Sequence, residues 1–552
     1  MTFVITQGCC DDASCVSVCP VQCIRPRPGD PEFLSSEQLY IDPHTCIECG
    51  NCAVACPVQA IVHEADLPPS QADFSQINAD YFLAHPLQDA VSLPIMRFRL
   101  PRTQSELRVA IVGAGPSALY AAAQLSEIRG VSVTIVERTA TAHGLVRAGV
   151  APDHDRTKLI GDRFDRVLRR PNVTCFFNVE VGRDVSTEEL LRHHHALIWA
   201  AGAVDDRMMG IPGEDLAGSV SAREFVSWYN GHPDHADRKF DLSGRRAVVI
   251  GNGNVALDVA RVLAQPVTAY EKTSMSDLAL KTLRASSIEE VVVVGRRGEA
   301  SAAYSTAELL ALSQLPGVDL VADPAEVSMT EQEVKTAQIR RPTDSVRRRA
   351  IIDAAARRIP TAPRRIVMRY RLTPTELTGD RAVAGIVLAR SDGPRERLDT
   401  SLVIRAIGFQ GRAVPGLPFD SSAGVIPNDG ARVVDPATGV SLPRLYCTGW
   451  IKRGPTGVIG TNRADSTETV TALLKDVNEH RLPEPPDDSA HLLALLRRRQ
   501  PNLVDTAGWW RIDEAERSAG RTSGRSRVKL VSPAELLRAA RGDQGVPPVC
   551  AG

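Results

Sequence analysis

The chain has 552 residues, too many for one hydrophobic core and enough for three or four domains of ordinary size. Its 65 Lys and Arg balance 66 Asp and Glu, which argues against a nucleic-acid binder, and 43% hydrophobic residues exclude a disordered chain. No apolar run approaches the roughly 20 residues of a membrane span, and MTFVITQGCC lacks a signal peptide's basic start and apolar stretch, so a cytoplasmic protein without membrane contact is expected.

The near-neutral total hides an asymmetry. Residues 1–66 hold nine acidic residues against Arg25 and Arg27, a formal −7, together with nine of the twelve cysteines. In a reducing compartment that density points to metal binding rather than disulfides. Cys46-x2-Cys49-x2-Cys52-x3-Cys56-Pro57 is the sharper motif. Three thiolates at two-residue gaps wrap three corners of an iron–sulfur cubane, and the fourth cysteine reaches a different cluster. A zinc ribbon would instead separate two CxxC pairs by a long loop. Upstream, Cys9-x2-Asp12-x2-Cys15-x3-Cys19-Pro20 repeats the spacing with Asp12 in the place of the middle cysteine, and both halves carry CPVQ-x-I.

This head resembles the bacterial two-cluster ferredoxins, an α+β fold of βαββαβ order that exchanges the fourth cysteine between its halves. The resemblance implies that Cys19, Cys46, Cys49 and Cys52 hold one [4Fe-4S] cluster. Cys9, Cys15 and Cys56 would hold the other, either [3Fe-4S] or a second [4Fe-4S] with Asp12 as a fourth ligand. A carboxylate is a harder and weaker ligand for such iron than a thiolate. Cys10 is an alternative to Cys9, and Cys23 is expected to pack near a cluster without ligating it.

Residues 67–106 are polar and punctuated by five prolines, with room for a short helix over Asp73–Leu83; a simple tether is expected. From residue 107 two dinucleotide signatures follow. The strand RVAIV runs into Gly113-Ala114-Gly115-x-x-Ala118, and the strand VSVTIVE ends on Glu137, placed to accept ribose hydroxyls. The second copy, AVVIG, continues through Asn252-Gly253-Asn254-Val255 into LDVARVL, and its partner strand EEVVVVG ends in Arg296-Arg297. An acid there would repel a 2′-phosphate. Two guanidiniums clamp it through charge-assisted bonds of roughly 1.5–3 kcal/mol each, so NADP(H) is expected. The apolar stretches 196–203 and 401–409 suit strands crossing between domains, and Gly454, Gly457 and Gly460 open a later helix able to meet a flavin or its phosphate. The arginine-rich stretch 340–365 reads as a solvated face.

With GAGPSALYAA, GLVRAGVAPDH, IPGEDL-x-GS, GNGNVALDVAR, VGRR and GWIKRGPTGVIGTN, the body resembles the adrenodoxin reductase family of ferredoxin–NADP⁺ reductases. With its head, the chain is similar to the fused ferredoxin/ferredoxin–NADP⁺ reductases of actinobacteria. That implies a multidomain chain of ferredoxin head (1–66), linker (67–106), a discontinuous Rossmann-like FAD domain (107–203 and 407–552) and an inserted NADP domain (204–406). It implies FAD on Gly113, Ala114, Gly115, Glu137, Leu145, Val181, Trp450, Gly457, Val458 and Ile459. NADP(H) would lie on Asn252, Gly253, Asn254, Val255, Arg296, Arg297, Glu308 and Gly457, with His154 the catalytic candidate in the nicotinamide pocket. Where family members often carry a second glutamate one turn past Glu308, this chain has Ala311, which leaves an acid-assisted step without its group. The expected partners are NADPH/NADP⁺ and a ferredoxin or other one-electron acceptor, with a cytochrome P450 a candidate further on. The rival enzyme is the electron-input subunit of a glutamate-synthase-like complex, and a non-catalytic redox carrier is the rival of another class. The body has only Cys175, Cys447 and Cys550 and no CxxC pair, which excludes a disulfide reductase.

Overall fold

The computed structural model describes residues 2–87, 99–101, 104–328, 331, 333–335, 344–390 and 393–543. In the head, β1 (Phe3–Ile5) pairs antiparallel with β4 (Ile61–His63), and β2 (Ile24–Arg25) with β3 (Tyr40–Ile41). Helix α1 (Ser14–Val18) follows β1 and α2 (Asn51–Ala55) follows β3, which makes the order βαββαβ. The repeat is written in the backbone as well as in the letters. Asp11 and Glu48 have φ of 56° and 58°, Ala13 and Gly50 of 58° and 74°, Gln22 and Gln59 of 51° and 53°. These left-handed residues wind the loop before each helix and the turn after it. Each helix stops on the cysteine before a proline, Cys19 or Cys56, because that position is driven to extended backbone.

Helix α3 (Asp73–Ala84) lies where the sequence has room for one, but it is not part of a free tether. Phe74, Ile77, Tyr81 and Phe82 are buried against Val4 and Tyr40, and Tyr81 stacks on Tyr40 with ring centres 4.3 Å apart. Asn78 closes the open strand edges: its Oδ1 accepts from the Ile5 and Ile41 amides at 3.2 and 2.9 Å, and its Nδ2 donates to the Ile5 carbonyl at 2.8 Å. The first half of the linker is thus a wall of the head. Residues 88–98, 102 and 103 of the linker lie outside the described residues.

The body contains two large sheets. Strands β5 (Leu107–Val112), β6 (Val131–Glu137), β7 (Val173–Phe177) and β8 (Ala196–Trp199) come first. Then follow β9 (Ser219–Ser221), β10 (Arg246–Ile250), β11 (Glu290–Gly295), β12 (Val318–Ala322), β13 (Arg364–Tyr370) and β14 (Leu402–Arg405). Last come β15 (Asn428–Asp429), β16 (Arg432–Val434), β17 (Ser441–Cys447) and β18 (Val504–Asp505). The outer two groups make one eight-stranded sheet, β15-β16-β17-β8-β5-β6-β7-β18, and the middle group makes a six-stranded sheet, β9-β14-β10-β11-β13-β12. The chain therefore leaves the first sheet, builds the second, and returns. In each, the strand before a glycine loop has parallel neighbours on both sides: β5 between β6 and β8, β10 between β11 and β14. In open sheets of this kind ligands bind at the carboxyl ends of such strands, where the order reverses.

The helices of the body include α4 (Pro116–Leu125), α5 (Ile160–Leu168), α6 (Asn254–Ala264), α7 (Thr306–Ser313), α8 (Thr461–Asn478), α9 (Thr506–Ser523) and α10 (Pro533–Arg541). No helix among the described residues is long and apolar enough to cross a membrane. The arginine-rich helix Asp344–Arg357 is not merely a solvated face. Its Arg348 is 3% exposed, lies over the Tyr304 ring and sits 3.3 Å from Glu299.

The C-terminal helices strap the body together through one buried carboxylate. Glu516 on α9 accepts a bidentate pair from Arg147 at 2.7 and 2.6 Å, a bond from Arg527 at 2.8 Å and one from the Leu530 amide at 2.9 Å. Burial opposes its charge, but Arg147 and Arg527 hold its carboxyl down to about 2. A depressed acid stabilises the fold above its unfolded pKa, near 4.5, and loses that contribution as pH falls toward 2. We predict that Glu516→Gln costs about 3 kcal/mol at pH 7 and removes the acid-dependent part of the loss between about pH 4.5 and 2. Denaturant unfolding against pH checks this; an unchanged pH profile would contradict it.

Candidate functional site

In the head, Cys19, Cys46, Cys49 and Cys52 line one cavity with Phe3, Val21, Ile24 and Ile41. Cys19 comes from the first motif and the other three from the second. Cys23 lines the same cavity, and its Sγ lies 3.5 Å from that of Cys19, a thiol contact that helps hold Cys19 down to about 6. Among the described residues no three cysteine sulfurs lie within 4.8 Å of one another, whereas Zn–S bonds of about 2.3 Å would impose edges of about 3.8 Å. Cys9, Cys15 and Cys56 lie partly or wholly buried in the same apolar cluster of the head. Burial pushes the thiols of Cys9 and Cys15 well above their ordinary range and raises Cys56. Such donors become thiolate when a cationic core supplies the missing charge, so the cysteines of the head fit iron–sulfur binding. Cys10 is buried in the body's core rather than in the head's. Asp12 does not face the cysteines as a free carboxylate: both its oxygens are taken by other side chains.

In the first glycine loop Gly113 has φ of 106°, and a Cβ there would fall 2.7 Å from the Ala200 carbonyl oxygen. Gly115 begins α4 with no side-chain cap and has open space where a Cβ would stand. The helix amides are thus left for an outside acceptor, as a pyrophosphate requires. Glu137 at the end of β6 accepts from the Ala114 amide at 2.8 Å and from the Thr139 amide at 2.8 Å, so the acid is held against the loop. Leu145 is 41% exposed beside Gly144, whose own Cβ position would lie 2.9 Å from the Gly115 Cα. Val181 lies in the apolar cluster with Val112, Val136 and Ile451. Across the strand ends Trp450 stacks on Phe409 at 5.9 Å and donates from Nε1 to the Thr456 carbonyl. Gly457, with φ of 76°, leads through Val458 and Ile459 into α8, where Thr461 Oγ1 and Asn462 Nδ2 donate to the Val458 carbonyl. An uncapped helix start, a terminal acid and an exposed apolar side chain make a cradle that fits FAD.

The second loop repeats the design. Gly251 has φ of 121°, Gly253 begins α6 without a side-chain cap, and Asn254 Oδ1 accepts from the Ser305 amide at 2.7 Å. Asn252 accepts the Ala303 and Tyr304 amides on its carbonyl, and Val255 packs partly buried behind it. Arg296 and Arg297 are exposed past the end of β11, and neither guanidinium is in a salt bridge among the described residues. They are free to take a phosphate. His154 and Glu308 are brought together, 3.7 Å apart. Sequence reasoning missed what joins them. Arg261, one turn past Asp258 on α6, bonds Asp153, Asp258 and Glu308 and lies 2.9 Å from His154 Nε2. His154, Asp258 and Glu308 would make a cation site were a guanidinium not already among them. Burial pushes Asp258 up to about 6, whereas His154 and Arg261 overcome the burial of Glu308 and hold it below the usual range. We predict that Arg261→Met, which strands three carboxylates, lowers stability by about 3–5 kcal/mol; an unchanged denaturation midpoint would contradict this.

Head and body meet at these loops. The Gly460 amide donates to the Cys10 carbonyl at 2.6 Å, Gln7 Nε2 donates to Glu308 at 3.3 Å, and the Thr306 amide at the start of α7 donates to Glu37 at 2.6 Å. Arg156 reaches the Gln59 carbonyl at 3.2 Å, and Arg347 pairs with Asp73 at 2.9 Å. The acidic head thereby contacts helices and loops on the sides of both sheets of the body.

Comparison with known proteins agrees with this division. Residues 107–320 match the pyridine nucleotide-disulphide oxidoreductase family and residues 39–62 the 4Fe-4S binding domain family. A Mycobacterium leprae protein named "Probable ferredoxin/ferredoxin--NADP reductase" is 44% identical over 557 residues, covering 98% of each chain. The mitochondrial NADPH:adrenodoxin oxidoreductase of Bos taurus is 39% identical over 78% of this chain and 91% of its own. The solved structure of Mycobacterium tuberculosis FprA in complex with NADPH is 44% identical over 79% of this chain and 100% of its own, with a TM-score of 0.74. An N-terminal cysteine fold fixed to a body with two glycine loops, matched along nearly its whole length, places the chain in the ferredoxin/ferredoxin–NADP reductase family.

Proposed function

We propose that the chain is a ferredoxin–NADP⁺ reductase that moves electrons between NADPH and one-electron acceptors, its own head being the first of these. The observation that carries the reading is the junction at Gly460, where the first cysteine loop lies against the glycines that open α8. FAD, when bound, supplies the exchange between a hydride's electron pair and single electrons. Residues 107–203 and 407–552 would form its domain, with the Gly113–Gly115 loop on the pyrophosphate, Glu137 on the ribose, and Leu145, Val181, Trp450 and Gly457–Ile459 around the rest. Residues 204–406 would bind NADP(H), with Asn252–Val255 on its pyrophosphate and Arg296 and Arg297 on the 2′-phosphate.

His154, Arg261 and Glu308 would shape the nicotinamide pocket. Hydride transfer asks for position rather than proton exchange, and a histidine held between a guanidinium and a carboxylate is well suited to orienting a ring. In the head, Cys19, Cys46, Cys49 and Cys52 would hold a [4Fe-4S] cluster, and Cys9, Cys15 and Cys56 a [3Fe-4S] cluster. Cys49 is exposed, so the four-cysteine site is where a free ferredoxin or other acceptor, such as one serving a cytochrome P450, would draw electrons. Thiolate clusters and NADPH both suit a cytoplasmic setting. The match, over nearly its full length, to a protein named as a probable ferredoxin/ferredoxin–NADP reductase favours this reading over an input subunit of a glutamate-synthase-like complex.

Replacing Arg296 and Arg297 together by Ala tests the nucleotide assignment. Loss of two charge-assisted bonds, each about 1.5–3 kcal/mol, should cut kcat/KM for NADPH at least about tenfold and leave NADH turnover within about twofold. An unchanged preference for NADPH would remove the assignment.

A further inference from the structure

Asp12 occupies the repeat position of Cys49, yet the two have opposite surroundings. Cys49 is exposed, and Asp12 is 3% exposed because the body covers it. Asp12 Oδ2 accepts from the Tyr120 hydroxyl on α4 at 2.8 Å. Its Oδ1 accepts from Arg163 Nη1 on α5 at 2.8 Å and from Ser14 Oγ in the head. Arg463 on α8 donates to the Asp12 carbonyl at 2.7 Å and stands 3.6 Å from Oδ1. Three body helices therefore converge on one residue of the head. Beside them the two main chains touch directly: a Cβ on Gly460 would fall 2.0 Å from the Asp11 carbonyl carbon and 2.2 Å from the Asp12 nitrogen.

We propose that Asp12 is the docking residue that locks the first cysteine loop onto the body, and that it is not a ligand to iron. The second clause rests on the reading that Cys9, Cys15 and Cys56 hold a cluster. A carboxylate has about four acceptor positions, and here three donors and a second guanidinium already surround it. Turning it toward iron would leave the buried Tyr120 hydroxyl without its acceptor and would leave the half-buried Arg163 guanidinium with the neutral Ser14 Oγ in place of its carboxylate. A cysteine in its place would serve iron well but would accept poorly from a guanidinium. A complete four-cysteine motif and this dock exclude each other. The missing cysteine is thus a positioning device that holds the three-cysteine site beside Gly457–Gly460, where electrons would enter, and leaves the four-cysteine site at the surface.

The test uses the full-length holoprotein as wild type, Asp12→Asn, Asp12→Cys, Arg163→Gln and Tyr120→Phe. Amide hydrogen exchange is followed over residues 9–15, 116–125, 160–168 and 460–465. Arg163→Gln and Asp12→Cys should each raise exchange there at least about tenfold with little change in β10 or β11, and Tyr120→Phe should raise it less. Equal exchange in wild type and Arg163→Gln would overturn the docking role. In parallel, oxidised samples are examined by electron paramagnetic resonance before and after reduction, addition of excess ferrous iron and re-oxidation. Wild type and Asp12→Asn should respond alike, and only Asp12→Cys should lose the three-iron signal at the outset. Uptake of a fourth iron by wild type but not by Asp12→Asn would make Asp12 a ligand and overturn the proposal. A head without iron would instead remove the cluster reading, and the exchange measurements would still decide the dock.

Discussion

At the junction between Gly460 and Cys10, one backbone rests on another with no room for a side chain between them. The proposed passage of electrons between body and head rests on that closeness. The glycines of residues 457–460 must open a helix and turn tightly, and the last of them must also admit the carbonyl of a cysteine loop about 450 residues earlier in the chain. Glycine is the one residue that meets both demands, because any Cβ at 460 would overlap the Asp11 and Asp12 backbone. Acids of the N-terminal part meet donors of the body along the junction: Asp12 meets Arg163 and Arg463, Glu37 the Thr306 amide, and Asp73 of the linker helix Arg347. The attraction is short-range and partly buried, so salt screens it less than it would a surface encounter.

The body supplies the same local answer twice. A buried strand with parallel neighbours on both sides ends in a glycine of positive φ, a second glycine starts a helix without a cap, and free amides point at the strand ends. What differs is the residue that closes the next strand. Glu137 is held inward against its loop, and Arg296 and Arg297 stand outward in solvent, so two similar cradles suit adenosine ends without and with a 2′-phosphate. Between them the Arg261 cluster keeps His154 and Glu308 in fixed relation, and the Glu516 pair with Arg147 steadies the segment that carries Leu145.

Much of this is legible in the sequence because it is local. Cysteine spacing, the CPVQ-x-I repeat, the glycine loops and the Arg296-Arg297 end are complete within a few residues, and the backbone repeats at Asp11 and Glu48 or Ala13 and Gly50 follow the same periodicity. What stays hidden is made by tertiary packing. Asp12 reads as a lost cysteine, and nothing within its own motif announces Arg163 or Arg463. Arg261 reads as one charge on an apolar helix, although it gathers acids from three segments. The aromatic stripe Phe74, Tyr81 and Phe82 is diluted by Gln, Asn and Asp, so a helix that walls the head reads as a tether. Arg348 reads as solvated because a run of arginines gives no sign of which one lies over a tyrosine.

The most direct measurement is an anaerobic NADPH titration of the full-length holoprotein, followed by visible and electron paramagnetic resonance spectra at several protein concentrations. Loss of the yellow absorbance is expected together with reduction of iron–sulfur centres in the same chain, at a rate independent of protein concentration. Clusters that stay oxidised after the flavin is reduced, or that reduce only at a rate rising with protein concentration, would contradict it.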